Sequence, residues 1–200
     1  FGTAQDHKRV LEGDKGKNTG GMGAYSPSRL ENEELNKKIL DKIIDPTLKG
    51  LKDLNTSFLG FLYAGLMIVK GEPYLIEYNV RMGDPECQTI LPKLKTDFGE
   101  VIVACINQEL DLVNLEWSDE KSLCIVLCSR GYPEEFSNNI EIQNLNEIIT
   151  ERNEFIFHAG TKVIDSKILS NGGRVLNFVV KSNEFKTGRD KATKLINKVN

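Results

Sequence analysis

The segment from Phe58 to Arg81 constrains the fold more than any other part of the 200-residue sequence. It holds a continuous apolar run, FLGFLYAGLMIV at 58–69, and a second strand-like run, YLIEYNVR at 74–81, with the turn signal VKGEP between them. Two strand-like runs joined by a short turn containing Gly and Pro predict a β-hairpin.

The second run has a polar face. Because side chains alternate along a strand, we expect Leu75, Glu77, Asn79 and Arg81 on one face and Ile76, Tyr78 and Val80 on the other, with neighbours on a face about 6.6–6.8 Å apart. Glu and Asn offer the hard oxygen ligands that Mg²⁺ prefers, and Arg offers a fork for a carboxylate or a phosphate. A half-exposed strand with solvated charges is the alternative interpretation. The run continues into MGDPE, which adds two carboxylates at a turn.

A second candidate site is the glycine-rich stretch at 8–27. Within it, Asn18-Thr19-Gly20-Gly21-Met22-Gly23 could let backbone N–H groups approach an anion, although it lacks the spacing of the known phosphate-binding loops. The glycines predict no regular structure over 8–27, and we expect a bound anion to supply the missing hydrogen-bond partners of this backbone.

The remaining elements are predicted from periodicity and caps. An amphipathic helix is expected over 31–44, disturbed at Asp45-Pro46, and a second helix is expected to begin after Asp97 and reach about Leu110. Beyond Leu112 the pattern is that of a small α+β module with antiparallel strands. Its strands are expected at 121–129, 140–145, 155–159 and 174–182, with a last helix at about 184–199.

Composition and charge exclude several classes of protein. Hydrophobic residues make up 40% of the chain and the net charge is −3, so the chain is globular and has no global basic field for nucleic acid or anionic lipid. The longest apolar run is too short for a membrane span. The four cysteines have no metal-site spacing and are interpreted as small buried residues, and His7 and His158 as structural.

Several segments together resemble one enzyme family. QDHKR, GDKGKNTGGMGAYSP, GFLYAGLMI, IEYNVRMGDPE, FHAGT and NGGRVL are similar to phosphoribosylamine–glycine ligase, the glycinamide ribonucleotide synthetase of de novo purine biosynthesis and a member of the ATP-grasp superfamily. The resemblance implies an α+β fold: the second half of an ATP-grasp catalytic domain, an antiparallel sheet with helices, at 1–114, followed by a small α+β C-terminal domain at 115–200. It covers only the C-terminal part of that enzyme, so a fragment of a longer chain is expected.

The resemblance also implies a reaction and its residues. ATP would phosphorylate glycine, and 5-phosphoribosylamine would attack the glycyl phosphate. The resemblance implies that Glu77 and Asn79 are ligands of Mg²⁺ or Mn²⁺, and that Ile76, Glu77 and Asn79 bind the nucleotide, with Ile76 in packing or at the adenine rim. Arg81 is the implied catalytic residue. The implied substrate-binding residues are Asn18, Thr19, Gly20, Gly21, Met22, Gly23, Asp84, Pro85 and Glu86.

Two other functions stay open at this point. One is another ATP-grasp carboxylate–amine ligase of purine metabolism, which the NTGGMGAYSP segment argues against. The other is an inactive folded half that only completes the enzyme, since the first part of the ATP site has no counterpart here. The expected partners are the small-molecule substrates, without nucleic acid or membrane. The expected state is a cytoplasmic monomer, with a dimer left open.

Overall fold

Strand β11, Arg174–Ser182, is an interior strand of the main sheet, paired along both edges, and both of its faces are apolar. Leu176, Phe178 and Val179 are fully buried, and Val175 and Val180 are nearly so. A strand buried on both faces reads as an almost continuous hydrophobic run, which the sequence RVLNFVV provides. The structure, a computed structural model, describes all 200 residues.

The chain divides into two compact units, and β11 belongs to the first. Unit 1 consists of Phe1–Pro27, Asp84–Lys93 and Ser118–Asn200; unit 2 consists of Ser28–Gly83 and Leu94–Trp117. The units do not follow the predicted linear division into 1–114 and 115–200, because strands from the start of the chain pair with strands from its later part. That division stays a prediction about the domains of the family.

Unit 1 is built on a five-stranded antiparallel sheet. In the order in which they lie side by side, its strands are β1 Gln5–Asp6, β4 Gly23–Ser26, β7 Lys121–Cys128, β11, and β8 Glu154–His158. Helix α5, Phe185–Ile196, covers one face and buries Ala192 and Leu195 against Leu176 and Phe178. Separate hairpins pair β2 Arg9–Leu11 with β3 Lys15–Asn18, and β9 Thr161–Ile164 with β10 Lys167–Ser170. The short helix α3, Glu86–Ile90, packs against β4 and β7.

Unit 2 contains the predicted hairpin, formed by β5 Tyr63–Val69 and β6 Glu72–Asn79. Helix α1, Glu33–Ile39, begins at Asn32, whose side chain accepts a hydrogen bond from the Leu35 amide at 2.9 Å. A π-helical turn at Leu40–Ile44 and helix α2, Asp45–Asp53, follow without a break. Helix α4, Phe98–Asn107, has the predicted cap, in which the Asp97 carboxylate accepts from the Glu100 amide.

Three expectations about secondary structure are wrong. The stretch 8–27 forms strands β2, β3 and the start of the main sheet at β4, because its glycines lie in the turns and at close contacts and not throughout. The helical segment predicted to end near Ile44 continues to Asp53, and the disturbance predicted at Asp45-Pro46 takes the form of the π-helical turn Leu40–Ile44 directly before the proline. Residues 140–145 form no strand, and only Glu141 makes a bridge, to Leu169.

Helix α2 is tied to the hairpin through Tyr78. The Tyr78 hydroxyl lies 2.7 Å from the Thr47 hydroxyl and 3.1 Å from the Ile43 carbonyl oxygen, to which it donates. Glu72, at the other end of β6, accepts hydrogen bonds at 2.7 Å from both Lys38 and Lys42. These contacts hold strand β6 against the helices, so the position of its polar side chains is fixed within unit 2.

Candidate functional site

Strand β6 carries the first group of predicted site residues. Glu77 and Asn79 share a face, because the Asn79 amide Nδ2 lies 3.3 Å from Glu77 Oε1 and donates to it. Glu77 faces Gly65 of β5, and a Cβ at position 65 would come within 3.3 Å of Glu77 Cγ. The strand therefore presents a carboxylate and an amide oxygen side by side, as predicted.

A β-bulge changes the expected alternation. Gly65 pairs with Glu77, but Leu66 pairs with Leu75, so Ile76 is an extra residue in β6. Residues that pair across two strands lie on the same face of the sheet, so Glu77 shares a face with Gly65 and Leu75 shares a face with Leu66. Because the neighbours Gly65 and Leu66 lie on opposite faces, Leu75 lies on the face opposite to Glu77. The prediction that Leu75 lies on the polar face is wrong, since strict alternation assumes an unbulged strand. Ile76 is 63% exposed, which excludes a packing role within this chain and leaves the adenine rim as the prediction for it.

The donor set of β6 fits a partial Mg²⁺ or Mn²⁺ site. No group of three or more His, Cys, Asp or Glu residues is arranged to hold a metal ion. Mg²⁺ is commonly bound through one or two protein carboxylates with waters and substrate phosphates, so Glu77 with the Asn79 side-chain oxygen is a suitable protein share. The Glu77–Asn79 hydrogen bond uses only Oε1 and the amide nitrogen, and both other oxygens remain for a cation.

Arg81 follows the strand in unit 2. Its Nη1 donates to the Met82 carbonyl oxygen at 2.9 Å, and the residue is exposed. A guanidinium with one N–H in a local backbone bond keeps its other donors for an anion. The catalytic role expected for Arg81 stays a prediction.

The glycine-rich segment, Asn18–Gly23, leads from β3 into β4 in unit 1, and its central amides already have partners. The Gly20 N–H donates to the Tyr132 hydroxyl at 2.8 Å, and the Gly21 N–H donates to the Thr19 hydroxyl at 3.0 Å. The Met22 N–H donates to the His7 carbonyl at 2.8 Å. The expectation that a bound anion must supply these partners is wrong, because Tyr132, His7 and Thr19 of the segment itself supply them.

Two glycines of this segment are required by close packing. Gly21 has φ +120°, and a Cβ there would lie 2.6 Å from Pro85 Cδ and 2.8 Å from Asp6 Oδ1. A Cβ on Gly23 would lie 2.5 Å from the Cys124 carbonyl oxygen of β7. The segment is therefore seated directly on the main sheet and on Pro85, which brings two of the predicted substrate-binding stretches together.

Asp84, Pro85 and Glu86 form the other predicted substrate-binding stretch. Pro85 and Glu86 are buried, while Asp84 is exposed and paired with Arg174. Arg174 Nη2 lies 2.9 Å from Asp84 Oδ2, and Nη1 donates to the carbonyl oxygens of Asp84 at 2.6 Å and Gly20 at 2.9 Å. One guanidinium thus joins Asp84 to the glycine-rich segment.

Sequence reasoning did not single out Tyr132, Arg174 or Asp6. Asp6 is largely buried, forms an ion pair with Lys8, and directs Oδ1 toward Gly21. The buried Cys124 lies nearby, and burial raises the pKa of its thiol to about 12. Cys124 is buried as predicted, whereas Cys87, Cys105 and Cys128 are only partly buried. The turn GYPEE and the segment NGGRVL were the only signals for Tyr132 and Arg174, and neither pattern indicates a contact with residues 18–23.

Comparison with known protein families separates the chain into two consecutive matches. Residues 1–87 match the phosphoribosylglycinamide synthetase, ATP-grasp (A) domain, and residues 122–200 match the phosphoribosylglycinamide synthetase, C domain. The chain belongs to the phosphoribosylglycinamide synthetase family. The predicted resemblance is confirmed.

Relatives of known name agree with the family. The chain is 45% identical over 202 residues to a phosphoribosylamine–glycine ligase from Vigna unguiculata, covering 99% of the chain and 65% of that protein. It is 43% identical over 198 residues to a phosphoribosylamine–glycine ligase from Caldanaerobacter subterraneus, covering 98% of the chain and 46% of that protein. The chain therefore spans about half to two thirds of the length of these relatives.

A solved structure confirms the fold. The phosphoribosylamine–glycine ligase from Thermotoga maritima superposes with a TM-score of 0.85 at 34% identity, covering 98% of this chain and 48% of that one. The α+β class, with an antiparallel sheet and helices of the ATP-grasp type, is confirmed.

None of the helices has the length and apolar character that a membrane crossing requires.

Proposed function

We propose that this chain is part of a ligase that joins glycine to 5-phosphoribosylamine. ATP is consumed and glycinamide ribonucleotide, ADP and phosphate are formed, as a step of de novo purine biosynthesis. The observation that carries the proposal is the order of the two family matches along one chain that is 45% identical over 202 residues to a phosphoribosylamine–glycine ligase. The polar face of β6 supports the proposal, because phosphoryl transfer from ATP uses a divalent cation and the side-chain oxygens of Glu77 and Asn79 are suitable ligands for one.

The proposed chemistry has two steps. A glycine carboxylate oxygen attacks the γ-phosphorus of ATP, the bond to the bridging oxygen breaks, and ADP leaves with glycyl phosphate formed. The amine of 5-phosphoribosylamine then attacks the glycyl carbonyl carbon, the amide bond forms, the carbon–oxygen bond to phosphate breaks, and the amine loses a proton. Positioning and electrostatic stabilisation carry most of the catalysis in such transfers.

Each group of residues has a role in this proposal. Glu77 and Asn79 would hold Mg²⁺ or Mn²⁺, and the bound cation would neutralise charge on the nucleotide phosphates. Arg81 donates hydrogen bonds to the oxygens on which negative charge increases during transfer, and Ile76 lies beside the adenine. The glycine-rich segment with Asp84, Pro85 and Glu86 binds 5-phosphoribosylamine or the reacting carboxylate. A cytoplasmic location, a monomeric state and the absence of nucleic-acid partners belong to the same proposal.

The test is product formation by the complete protein that contains this chain. We expect glycinamide ribonucleotide and ADP in equal amounts, only when ATP, glycine and 5-phosphoribosylamine are all present. Replacement of glycine by other amino acids distinguishes this function from that of another carboxylate–amine ligase. ADP release that does not depend on glycine, or equal turnover of another carboxylate, would refute the assignment.

The metal assignment has its own control. Glu77→Gln keeps the shape of the side chain and removes its charge, so we expect an increased Mg²⁺ requirement and lower turnover with an unchanged melting temperature. Glu100→Gln, an equally conservative change at an exposed position of α4, serves as the matched control and should have no effect on the Mg²⁺ requirement. Wild-type turnover of Glu77→Gln at limiting Mg²⁺ would show that Glu77 does not bind the metal.

A further inference from the structure

Gly20 is the point at which the glycine-rich segment is held most completely. Its N–H donates to the Tyr132 hydroxyl at 2.8 Å, and its carbonyl oxygen accepts from Arg174 Nη1 at 2.9 Å. The backbone N–H and C=O of Gly20 are therefore both bound by side chains, and these side chains lie 112 and 154 residues further along the chain. A backbone held on both sides by side chains has little freedom to rotate, because each φ or ψ change breaks a hydrogen bond.

Packing contacts hold the Tyr132 ring in place. A Cβ on Gly173 would lie 2.2 Å from Tyr132 Cδ2 and 2.5 Å from Cε2, so the ring packs directly on the Gly173 backbone. Phe136 packs against the same ring edge-to-face, with centroids 6.1 Å apart. Gly173 precedes Arg174, so one short piece of chain seats the tyrosine ring and supplies the guanidinium.

Arg174 is fixed as well. Its side chain is 21% exposed, and besides Gly20 it binds the Asp84 carboxylate and the Asp84 carbonyl oxygen. A Cβ on Gly20 would lie 3.0 Å from the guanidinium carbon, so the guanidinium lies flat against the glycine backbone. The planar fork of arginine makes these simultaneous contacts, which the point charge of a lysine could not reproduce.

We propose that Tyr132 and Arg174 are positioning residues that fix the glycine-rich segment in the geometry that binds 5-phosphoribosylamine. This inference rests on the proposed function and extends it to two residues outside the predicted site. Both act through Gly20 and neither needs to contact the substrate. Their removal loosens a segment in unit 1, while the nucleotide-binding residues of β6 in unit 2 are unchanged.

Loss of either side chain should change the KM for 5-phosphoribosylamine and leave the KM for ATP nearly unchanged. In Tyr132→Phe the Gly20 N–H loses its acceptor while the ring and its packing remain, and we expect the KM for 5-phosphoribosylamine to increase about two- to tenfold, as for one neutral hydrogen bond. Arg174→Lys should increase it roughly tenfold or more, because bonds from a charged donor are lost. The KM for ATP should stay within about twofold of wild type in both variants.

Two further variants separate positioning from general stability. Gly173→Ala displaces the Tyr132 ring without touching its hydroxyl, and we expect it to reproduce the selective KM change of Tyr132→Phe. Tyr25→Phe is the matched control, because it removes a hydroxyl that donates to Gln5 at 2.7 Å elsewhere in unit 1. Its KM values should equal those of wild type.

Amide hydrogen exchange of the ligand-free complete protein provides a readout that does not need activity. Exchange at Gly20 and Gly21 should be about two- to tenfold faster in Tyr132→Phe than in wild type and unchanged in Tyr25→Phe. Unchanged exchange and unchanged KM for 5-phosphoribosylamine in Tyr132→Phe would overturn the inference, as would an equal increase in both KM values. If wild type forms no glycinamide ribonucleotide, the proposed function fails, and the exchange result still decides whether Tyr132 holds the segment.

Discussion

Gly21→Ala tests the packing of the glycine-rich segment most severely. The residue has φ +120°, where an alanine costs about 1–2 kcal/mol in backbone strain. The new Cβ would lie 2.6 Å from Pro85 Cδ and 2.8 Å from Asp6 Oδ1, and neither atom is at the end of a long flexible side chain. Overpacking of this kind costs about 1–3 kcal/mol. We therefore expect the free energy of unfolding of the main sheet to fall by roughly 2–5 kcal/mol.

The assay is native-state hydrogen exchange of the β7 amides, which reports the opening free energy of that sheet. Gly50→Ala is the control, because Gly50 lies in helix α2 and a Cβ there meets no atom within 4 Å. An alanine in a helix interior is favoured over glycine by up to about 1 kcal/mol, so this variant should be as stable as wild type or more stable. Equal β7 exchange in Gly21→Ala and wild type would refute the close approach to Pro85 and Asp6.

Three further predictions concern single side chains. Arg81→Lys keeps the charge and loses the fork, so kcat should fall at least tenfold with the melting temperature unchanged; a lower melting temperature with kcat retained would make Arg81 a structural residue. Cys124 should resist iodoacetamide at pH 8 in the folded protein, because its thiol pKa is raised to about 12 by burial, and mass spectrometry of the labelled protein would reveal an error. Hydrogen bonds from Lys38 and Lys42 lower the pKa of the Glu72 carboxyl to about 2. The contribution of these bonds to stability is therefore complete above the unfolded pKa near 4.5 and is lost as the pH falls toward 2. An NMR titration of Glu72 with a midpoint near 4.5 would contradict this.

The sequence contains enough local information to predict the polar face of β6 and the start of α4. Glu77 and Asn79 are two residues apart on a strand after the bulge, so their proximity depends only on strand geometry. The Asp97 cap depends only on residues within one helical turn. Predictions of this kind succeed because all the interacting atoms lie within a few residues of each other.

The missed features depend on residues that are distant in the sequence. The bulge at Ile76 is set by the register against Gly65 and Leu66, which the β6 sequence alone does not encode. The glycine-rich segment looked irregular because its partners, Tyr132 and Arg174, lie more than 100 residues away. The clash that requires Gly21 comes from Pro85, which lies far along the sequence in the other predicted substrate-binding stretch.

The central claim is that the complete protein transfers the γ-phosphoryl group of ATP to the carboxylate of glycine. The most direct measurement uses glycine with ¹⁸O in both carboxylate oxygens, together with unlabelled ATP and 5-phosphoribosylamine. If glycyl phosphate forms, one labelled oxygen per turnover leaves with the phosphate, and mass spectrometry will find one ¹⁸O atom in the released phosphate for each glycinamide ribonucleotide. Phosphate without ¹⁸O, formed alongside the product, would contradict the account.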